Sequence, residues 1–275
     1  MINWTHHDVD ANGITLHYCR TGNGGKPLLI LAHGFSDNGL CWQRAAQRLE
    51  SDFDVVMFDA RNHGKSSPAL ASADAMVEDL KSLIEKLDCD KAPILLGHSM
   101  GATTVAGVAA RYPELVSMAL LEDPPWWSSA TEEKSEAERE QERAKRTEGF
   151  KKYLDDMKSK TESELIAHGR KLYVDWHDDD LPAWATSKTQ VDEGAMGGLK
   201  LPSWQDVALS ISVPTLLIHT DGGRDGLLKP EVVEALVSQN QNLSAAEISN
   251  AGHNVRRENF EGYMAAVESY LQTAG

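Results

Sequence analysis

The stretch Pro93-Ile94-Leu95-Leu96-Gly97-His98-Ser99-Met100-Gly101 decides how the rest of this chain is interpreted. An apolar run leads into the pentapeptide 97–101, and small residues dominate from Ala102 to Ala110. Strand, sharp turn and helix are the context in which G-x-S-x-G forms a nucleophile elbow, with the serine hydroxyl projecting above a sheet. Side chains at positions 97 and 101 would collide with the neighbouring strand or helix, which explains the two glycines. The pattern predicts that Ser99 is a nucleophile.

Length and composition favour one α/β domain that carries an insertion. The chain has 275 residues, and the hydrophobic fraction of 41% is sufficient for a sizeable core. No stretch approaches the ~20 apolar residues that span a bilayer, and the N-terminus lacks the features of a signal peptide. The widely spaced Cys19, Cys41 and Cys89 predict reduced thiols in a cytoplasmic protein, and they lack metal-ligand spacing.

The charge balance limits the possible partners. The formal net charge is −15 at pH 7, which argues against nucleic acids and anionic membrane surfaces as partners. We therefore expect a small-molecule substrate. The oligomeric state is left open by the sequence.

Predicted strands and helices alternate along most of the chain, which implies a mostly parallel sheet with helices on both faces. The alternation breaks near Pro124-Pro125-Trp126-Trp127 and resumes at Val213. This break predicts a core formed by residues 1–125 and 211–275, with an insertion over residues 126–210. Five of the seven tryptophans lie in or beside this insertion, where they form either its own small core or a pocket wall: Trp126, Trp127, Trp176, Trp184 and Trp204.

A late histidine supplies the expected base. A serine hydroxyl becomes a nucleophile at neutral pH when an imidazole accepts its proton and a carboxylate orients that imidazole. In folds with this elbow the order along the chain is serine, acid, histidine. Ala251-Gly252-His253-Asn254 lies between the last predicted strand and the last predicted helix, and every other histidine precedes that strand. His253 is therefore the candidate general base.

Three aspartates are candidates for the acid. Asp221 and Asp225 follow the predicted strand that ends at His219, and a spacer of two glycines leaves both possible. We favour Asp221, because a residue just beyond a buried strand has a better defined position than one further along a loop. Asp123 follows the preceding strand and is a third possibility. With Glu122 it is expected instead to form hydrogen bonds at the rim of the pocket.

Two backbone N–H groups are needed to stabilise the negative charge that develops on a carbonyl oxygen during acyl transfer. The N–H of Met100 follows the nucleophile, and the N–H of Phe35 lies in a loop after the strand predicted over 27–32. His33 in that loop is expected to pack and form hydrogen bonds rather than act as a base. The predicted pocket residues share a position beside this loop or in the insertion: His33, Gly34, Trp126, Trp127 and Trp184, with the Phe35 ring as a further wall.

Four landmarks in order give the chain a resemblance to the α/β-hydrolase family over essentially its whole length. They are His33-Gly34-Phe35, Asp59-Ala60-Arg61-Asn62-His63-Gly64-Lys65-Ser66, Gly97-His98-Ser99-Met100-Gly101 and Ala251-Gly252-His253. The resemblance implies an eight-stranded, mostly parallel sheet, a helical cap inserted after the sixth strand, a serine–histidine–acid triad, a two-amide oxyanion hole, and neither metal nor cofactor. In the family, epoxide hydrolases and haloalkane dehalogenases carry aspartate where this chain has Ser99.

The expected activity is hydrolysis of a carboxylic ester or lactone of a moderately sized, partly apolar small molecule through an acyl-enzyme. Two alternatives stay open. One is a carbon–carbon bond hydrolase or a cofactor-free peroxidase that uses the same triad, and the other is a small-molecule receptor with vestigial hydrolase activity. Arg256 and Arg257 follow the candidate base and are expected to be surface charges before the last helix.

Overall fold

The apolar runs of the sequence form one sheet in the computed structural model, which describes residues 4–22, 24–126, 136–196 and 203–274. Within those residues the strands are β1 (Thr5–Ala11), β2 (Ile14–Arg20), β3 (Leu28–Ala32), β4 (Asp54–Phe58), β5 (Ile94–His98), β6 (Met118–Glu122), β7 (Thr215–Thr220) and β8 (Leu243–Ile248). The order across the sheet is β1-β2-β4-β3-β5-β6-β7-β8.

The pairing confirms the predicted fold class, a mostly parallel eight-stranded α/β sheet, for the described part of the chain. The pairs β1–β2 and β2–β4 are antiparallel, and every pair from β4 to β8 is parallel. Asn12 and Gly13 join β1 to β2 with φ of 50° and 76°. Positive φ at both central residues is what a two-residue type I′ hairpin turn requires.

Helices cover both faces of the sheet. Their bounds are α1 (Gln43–Leu49), α2 (Ala73–Lys86), α3 (Met100–Arg111), α4 (Glu136–Lys158), α5 (Glu162–Leu172), α6 (Leu181–Gln190), α7 (Trp204–Ser210), α8 (Pro230–Gln239), α9 (Val255–Glu258) and α10 (Phe260–Leu271). Ser72 caps α2 by accepting the N–H of Ala75, and Pro230 stands at the start of α8, where its missing N–H costs nothing. None of the described helices is both long and apolar enough to cross a bilayer.

Alternate residues of the strands feed two separate layers of the core, because successive side chains of a strand point to opposite faces. Ile30, Val56 and Leu95 face the layer that α2, α3 and α8 close. Leu31, Met57 and Leu96 face the layer that α1 and α10 close. Burial on both faces explains why the central strands are continuous apolar runs in the sequence.

The chain between β6 and β7 contains a small core of its own. Its buried members come from α4, α5, α6 and the turn before α6: Met157, Leu165, Trp176, Leu181, Trp184 and Ala185. Helix α7 differs, because it contacts α3 and α8, and its Ala208 packs into the core under the sheet. The division into a core and a cap over residues 126–210 stays a prediction, and its first boundary runs into residues 127–135, which lie outside the described chain.

Two glycines allow α3 to start directly above the sheet. A Cβ at Gly97 would overlap the backbone of Gly101, and a Cβ at Gly101 would overlap the carbonyl of Ala32 at the end of β3. Both obstacles are backbone atoms, which cannot rotate away. The steric reason that the sequence predicts for these two glycines is confirmed.

Gly101→Ala is expected to lower the free energy of unfolding by roughly 2–4 kcal/mol, because the added methyl group forces β3 and α3 apart. The control is Gly149→Ala on the exposed side of α4, where nothing lies within 4 Å of the added Cβ. That change is expected to be neutral or to stabilise by about 0.5–1 kcal/mol. Urea denaturation measures both values, and a Gly101→Ala protein as stable as the wild type would contradict the close approach.

Candidate active site

Ser99 occupies the turn between β5 and α3 in a conformation that serine rarely adopts. Its φ and ψ are 53° and −114°, and it is the residue immediately before α3. Its N–H donates to the carbonyl of Glu122 on β6 at 2.9 Å, and its own carbonyl accepts the N–H of Thr103 at 3.0 Å. Strained backbone of this kind persists where surrounding structure enforces it, and such sites are concentrated at functional centres.

The His253 imidazole lies between Ser99 and a carboxylate. Its Nε2 is 3.0 Å from Ser99 Oγ, and its Nδ1 is 2.6 Å from Asp123 Oδ2. A carboxylate accepts only, so Nδ1 carries the proton and donates to Asp123. Nε2 is then the acceptor, which is the tautomer that takes a proton from a serine hydroxyl. Asp123 is fully buried, whereas the His253 side chain is 23% exposed.

The carboxylate of Asp123 is held by the loop after β7, which is the loop in which we expected the acid itself to lie. Its carboxylate accepts the N–H of Leu227 at 2.9 Å and the N–H of Leu228 at 2.8 Å, in addition to the His253 proton. These three donors fix the carboxylate in one orientation. Asp123 has a φ of 41°, so its backbone is also in the left-handed region.

The preference for Asp221 over Asp123 is corrected on this geometry. Asp221 closes a turn by accepting the N–H of Gly223 at 2.9 Å. Asp225 accepts the backbone N–H of His253 at 3.1 Å and therefore supports the loop of the histidine rather than its ring. The strand register contained a signal for Asp123, because His98 of β5 pairs with Glu122 of β6, which puts residue 123 level with Ser99.

The two candidate oxyanion donors lie at the ends of adjacent strands. Met100 is the first residue of α3, and Phe35 lies in the loop after β3. In the described part of the chain, neither N–H donates a hydrogen bond to a protein acceptor. The N-terminal end of a helix also carries a partial positive charge. The pair can therefore receive an oxyanion, and this role stays a prediction.

The loop after β3 is packed tightly against the rest of the site. A Cβ at Gly34 would overlap the His98 ring, so this position requires glycine. The Phe35 ring lies 4.9 Å from the Phe150 ring of α4, centroid to centroid. His33 donates from Nδ1 to the carbonyl of Gly34 and accepts the N–H of Ala60 at Nε2, so neither ring nitrogen is left for a substrate.

The predicted tryptophans are found in different places. Trp126 stacks on Trp204 and lines a small apolar cavity between α2, α3 and α7, of about 30 Å³. Trp184 is buried in the small core of the α4–α6 segment. Trp127 lies outside the described residues. The pocket roles of Trp126 and Trp184 therefore stay predictions, and their observed neighbours are other core side chains.

Arg256 and Arg257 are buried, which corrects their assignment as surface charges. Each side chain is at most 3% exposed. Arg257 donates to Asp37 at 2.9 Å, and Arg256 donates from Nη1 to Glu122 at 3.1 Å and from Nη2 to Asp37 at 3.4 Å. Lys188 of α6 joins the same cluster at 3.2 Å from Asp37. Sequence reasoning missed Asp37 and Lys188 because their partners are far away along the chain.

Burial and the neighbouring cations act in opposite directions on both carboxylates of the cluster, and the net pKa shift differs between the two. Burial alone would raise the pKa of Asp37, but Arg257, Lys188 and Arg256 hold that pKa well below its usual value. Burial raises the pKa of Glu122, and Arg256 only partly opposes the shift. The charge of Asp37 is therefore essential to the arrangement, because three cations surround it.

Three histidines around the site are buried and held neutral. Burial lowers the pKa of His33, and it lowers the pKa of His63 to about 3 with help from His33. Burial, followed by Arg256 and His253, lowers the pKa of His98 well below 6.5. In the described residues there is no group of three or more metal-ligating side chains that could hold a metal ion.

Comparison with known proteins shows the family to which the chain belongs. A family model described as the alpha/beta hydrolase fold matches residues 27–258, which is most of the chain. The protein therefore belongs to the α/β-hydrolase family and is a hydrolase of that class.

The relatives differ in how much of the chain they match. N-formylmaleamate deformylase of Pseudomonas putida is 28% identical over 96% of this chain and 95% of its own length. Epoxide hydrolase 4 of Mus musculus is 31% identical over 45% of this chain, and the match spans only 35% of that protein. Among solved structures, E-2-(acetamidomethylene)succinate hydrolase has a TM-score of 0.76 at 19% identity, with 98% of this chain and 100% of that chain covered. The last comparison shows the fold alone.

Asp123→Asn is expected to lower kcat for acyl hydrolysis by about 10³–10⁴-fold, because an amide at this position favours the wrong imidazole tautomer. Asp221→Asn is the matched control and is expected to retain most of the activity. Steady-state kinetics of both purified variants make the measurement. Loss of activity in Asp221→Asn with retention in Asp123→Asn would restore the original ranking of the acids.

Stability is expected to fall as pH decreases below about 6.5, the pKa of an unperturbed histidine. Below that pH the unfolded chain binds protons on His33, His63 and His98, whereas the lowered pKa values of these buried histidines keep them neutral in the folded state. Each such histidine contributes a slope approaching about 1.4 kcal/mol per pH unit below that pH. Glu122 acts in the opposite direction because its pKa is raised. Urea denaturation at pH 7.5, 6.5 and 5.5 (about one unit on either side of 6.5) tests the slope, and a constant free energy of unfolding would contradict it.

Proposed function

We propose that this protein is a serine hydrolase that removes an acyl group from a small molecule. In this proposal Ser99 is the nucleophile, His253 is the general base and Asp123 orients the imidazole. The observation that carries the proposal is the line of two hydrogen bonds, 2.6 Å from Asp123 to His253 and 3.0 Å from His253 to Ser99. Both lie within the range that nucleophile–base pairs require.

The proposed reaction starts with attack of Ser99 Oγ on the acyl carbon while His253 Nε2 takes the hydroxyl proton. The N–H groups of Phe35 and Met100 stabilise the resulting oxyanion. Asp123 stabilises the imidazolium, which then protonates the leaving group as the tetrahedral intermediate collapses. Water, deprotonated by His253, hydrolyses the acyl-enzyme in a second cycle and regenerates the Ser99 hydroxyl.

The nature of the nucleophile separates this proposal from the activities named for several partial relatives. Epoxide hydrolases and dehalogenases of the family are similar to this chain in other parts of the sequence. The family resemblance implies, however, that they carry aspartate at the position that Ser99 occupies here. A serine in that place forms an acyl-enzyme with a carbonyl substrate and releases it through water. Acyl transfer is therefore the chemistry that Ser99 supports.

Two substrate classes follow for the proposed acyl hydrolase. Esters and lactones need the weakest leaving-group protonation and are the first choice. N-acyl compounds are the second, because a relative that matches nearly the full length of this chain is named as an N-formylmaleamate deformylase. A cytoplasmic location belongs to the same proposal, and it is supported by three free cysteines, of which Cys19 and Cys41 are buried.

The first experiment is a substrate panel with the purified protein. It contains p-nitrophenyl esters of increasing acyl length, a set of lactones, and N-formyl and N-acetyl amides with and without a carboxylate. We expect a burst of p-nitrophenolate equal to the enzyme concentration with a short ester, because the acyl-enzyme accumulates. The preferred class is the one with the highest kcat/KM.

Ser99→Ala is expected to abolish turnover and the burst, whereas the exposed control Ser51→Ala leaves both unchanged. Intact-mass spectrometry during turnover is expected to find the acyl adduct in the wild type and not in Ser99→Ala. Full activity of Ser99→Ala on every substrate that the wild type hydrolyses would refute the proposed function.

A further inference from the structure

The loop that carries the Phe35 amide is tied to a residue outside the sheet. Lys188 of α6 points its ammonium group into this loop, more than 150 positions away in sequence. Its Nζ donates to the carbonyl of Ser36 at 2.7 Å, to Ser36 Oγ at 2.9 Å and to Asp37 Oδ1 at 3.2 Å. An ammonium group has three donors, so all the donors of Lys188 are used on two adjacent residues of one loop.

Ser36, which accepts two of the three hydrogen bonds, has a strained backbone. The N–H of Asp37 donates to the carbonyl of Gly34 at 3.1 Å, which closes a four-residue turn with Phe35 and Ser36 in the middle. Ser36 has a φ of 63°, a conformation that glycine adopts freely and serine does not. Serine at this position supplies the hydroxyl oxygen that accepts from Lys188. The N–H of Ser36 donates to His63 at 3.3 Å, so the residue is held on both sides.

Neutralising Asp37 does not require Lys188. Arg257 donates to the same carboxylate at 2.9 Å and Arg256 at 3.4 Å. Burial lowers the pKa of Lys188, and its side chain is only 3% exposed, so placing the amine there is costly. Because Asp37 is already paired with two arginines, adding a third cation there does not explain why Lys188 is buried. The three hydrogen bonds from Lys188 to the turn explain it better.

We infer that Lys188 is a positioning residue for the oxyanion hole: it holds the turn Gly34–Asp37 so that the Phe35 N–H points at the developing oxyanion. The segment between β6 and β7 thereby completes the catalytic loop of the sheet domain. This inference depends on the proposed function, because it assigns an oxyanion to the site. Lys188 itself touches neither the substrate nor the reacting atoms in this assignment.

The main test is Lys188→Met, which keeps the aliphatic stem and removes the three donors. We expect kcat to fall about 10–100-fold, less than the loss seen when an oxyanion donor is removed outright, while KM stays unchanged. An aryl trifluoromethyl ketone, which forms a tetrahedral oxyanion adduct with a nucleophilic serine, is expected to lose affinity by the same factor. Hydrogen exchange at the amides of residues 35–37 is expected to accelerate.

The matched control is Arg44→Met. Arg44 of α1 pairs with Asp180 at 2.8 Å and also joins the sheet domain to the segment between β6 and β7, but it does not contact the turn. It is expected to change stability without changing kcat or the affinity of the ketone. Equal kinetic losses in Arg44→Met and Lys188→Met would show that docking of the segment matters and would overturn the positioning role.

A second variant keeps the test decisive if Lys188→Met folds poorly. Ser36→Ala removes one of the three acceptors and is expected to produce a smaller loss in the same parameter, kcat. The double variant is expected to be no worse than Lys188→Met alone, because both act through one turn. Unchanged kcat and ketone affinity in Ser36→Ala, and in Lys188→Met where it folds, would overturn the inference while Ser99-dependent turnover still supported the proposed function. A wild type without such turnover would overturn both.

Discussion

The rest of the site depends on the direct junction between β5 and α3. No linker separates the last residue of the strand from the first turn of the helix, so Ser99 has to absorb the whole change of direction at a positive φ. The junction brings the helix backbone against the end of β3, which only Gly101 permits. One steric constraint therefore positions the candidate nucleophile Ser99, the Met100 amide and the positive end of α3 together.

The position of the candidate acid, Asp123, follows from the sheet order. Strands β6 and β7 are parallel neighbours, so their carboxyl ends lie at the same edge. A carboxylate that follows each strand contacts His253: Asp123 accepts from its ring, and Asp225 accepts from its backbone N–H. In this protein the residue after β6 makes the contact, and the loop after β7 donates the N–H groups of Leu227 and Leu228 to it. The loop after β6 therefore provides the carboxylate, and the loop after β7 provides the N–H donors that fix it.

The contribution of two separate loops to one contact explains which parts of the site could be predicted from the sequence. The elbow is a local constraint on five consecutive residues, so its signature is visible in the chain, and the order of elements was enough to predict that His253 lies beside Ser99. The choice between Asp123 and Asp221 depends on the conformation of a loop, which no local pattern encodes. The strand register would have favoured Asp123, but register is a tertiary property.

The buried charges show the same limit more strongly. Arg256 and Arg257 resemble surface residues when only their neighbours in sequence are considered, because the partner Asp37 lies more than 200 positions away. The free-energy cost of removing their charges from water is offset only when carboxylates and backbone acceptors surround them. The cations that surround Asp37 come from α6 and α9, and Asp37 itself follows β3. The cluster thus joins the segment between β6 and β7, the loop of the candidate base and the loop of the Phe35 amide through one carboxylate.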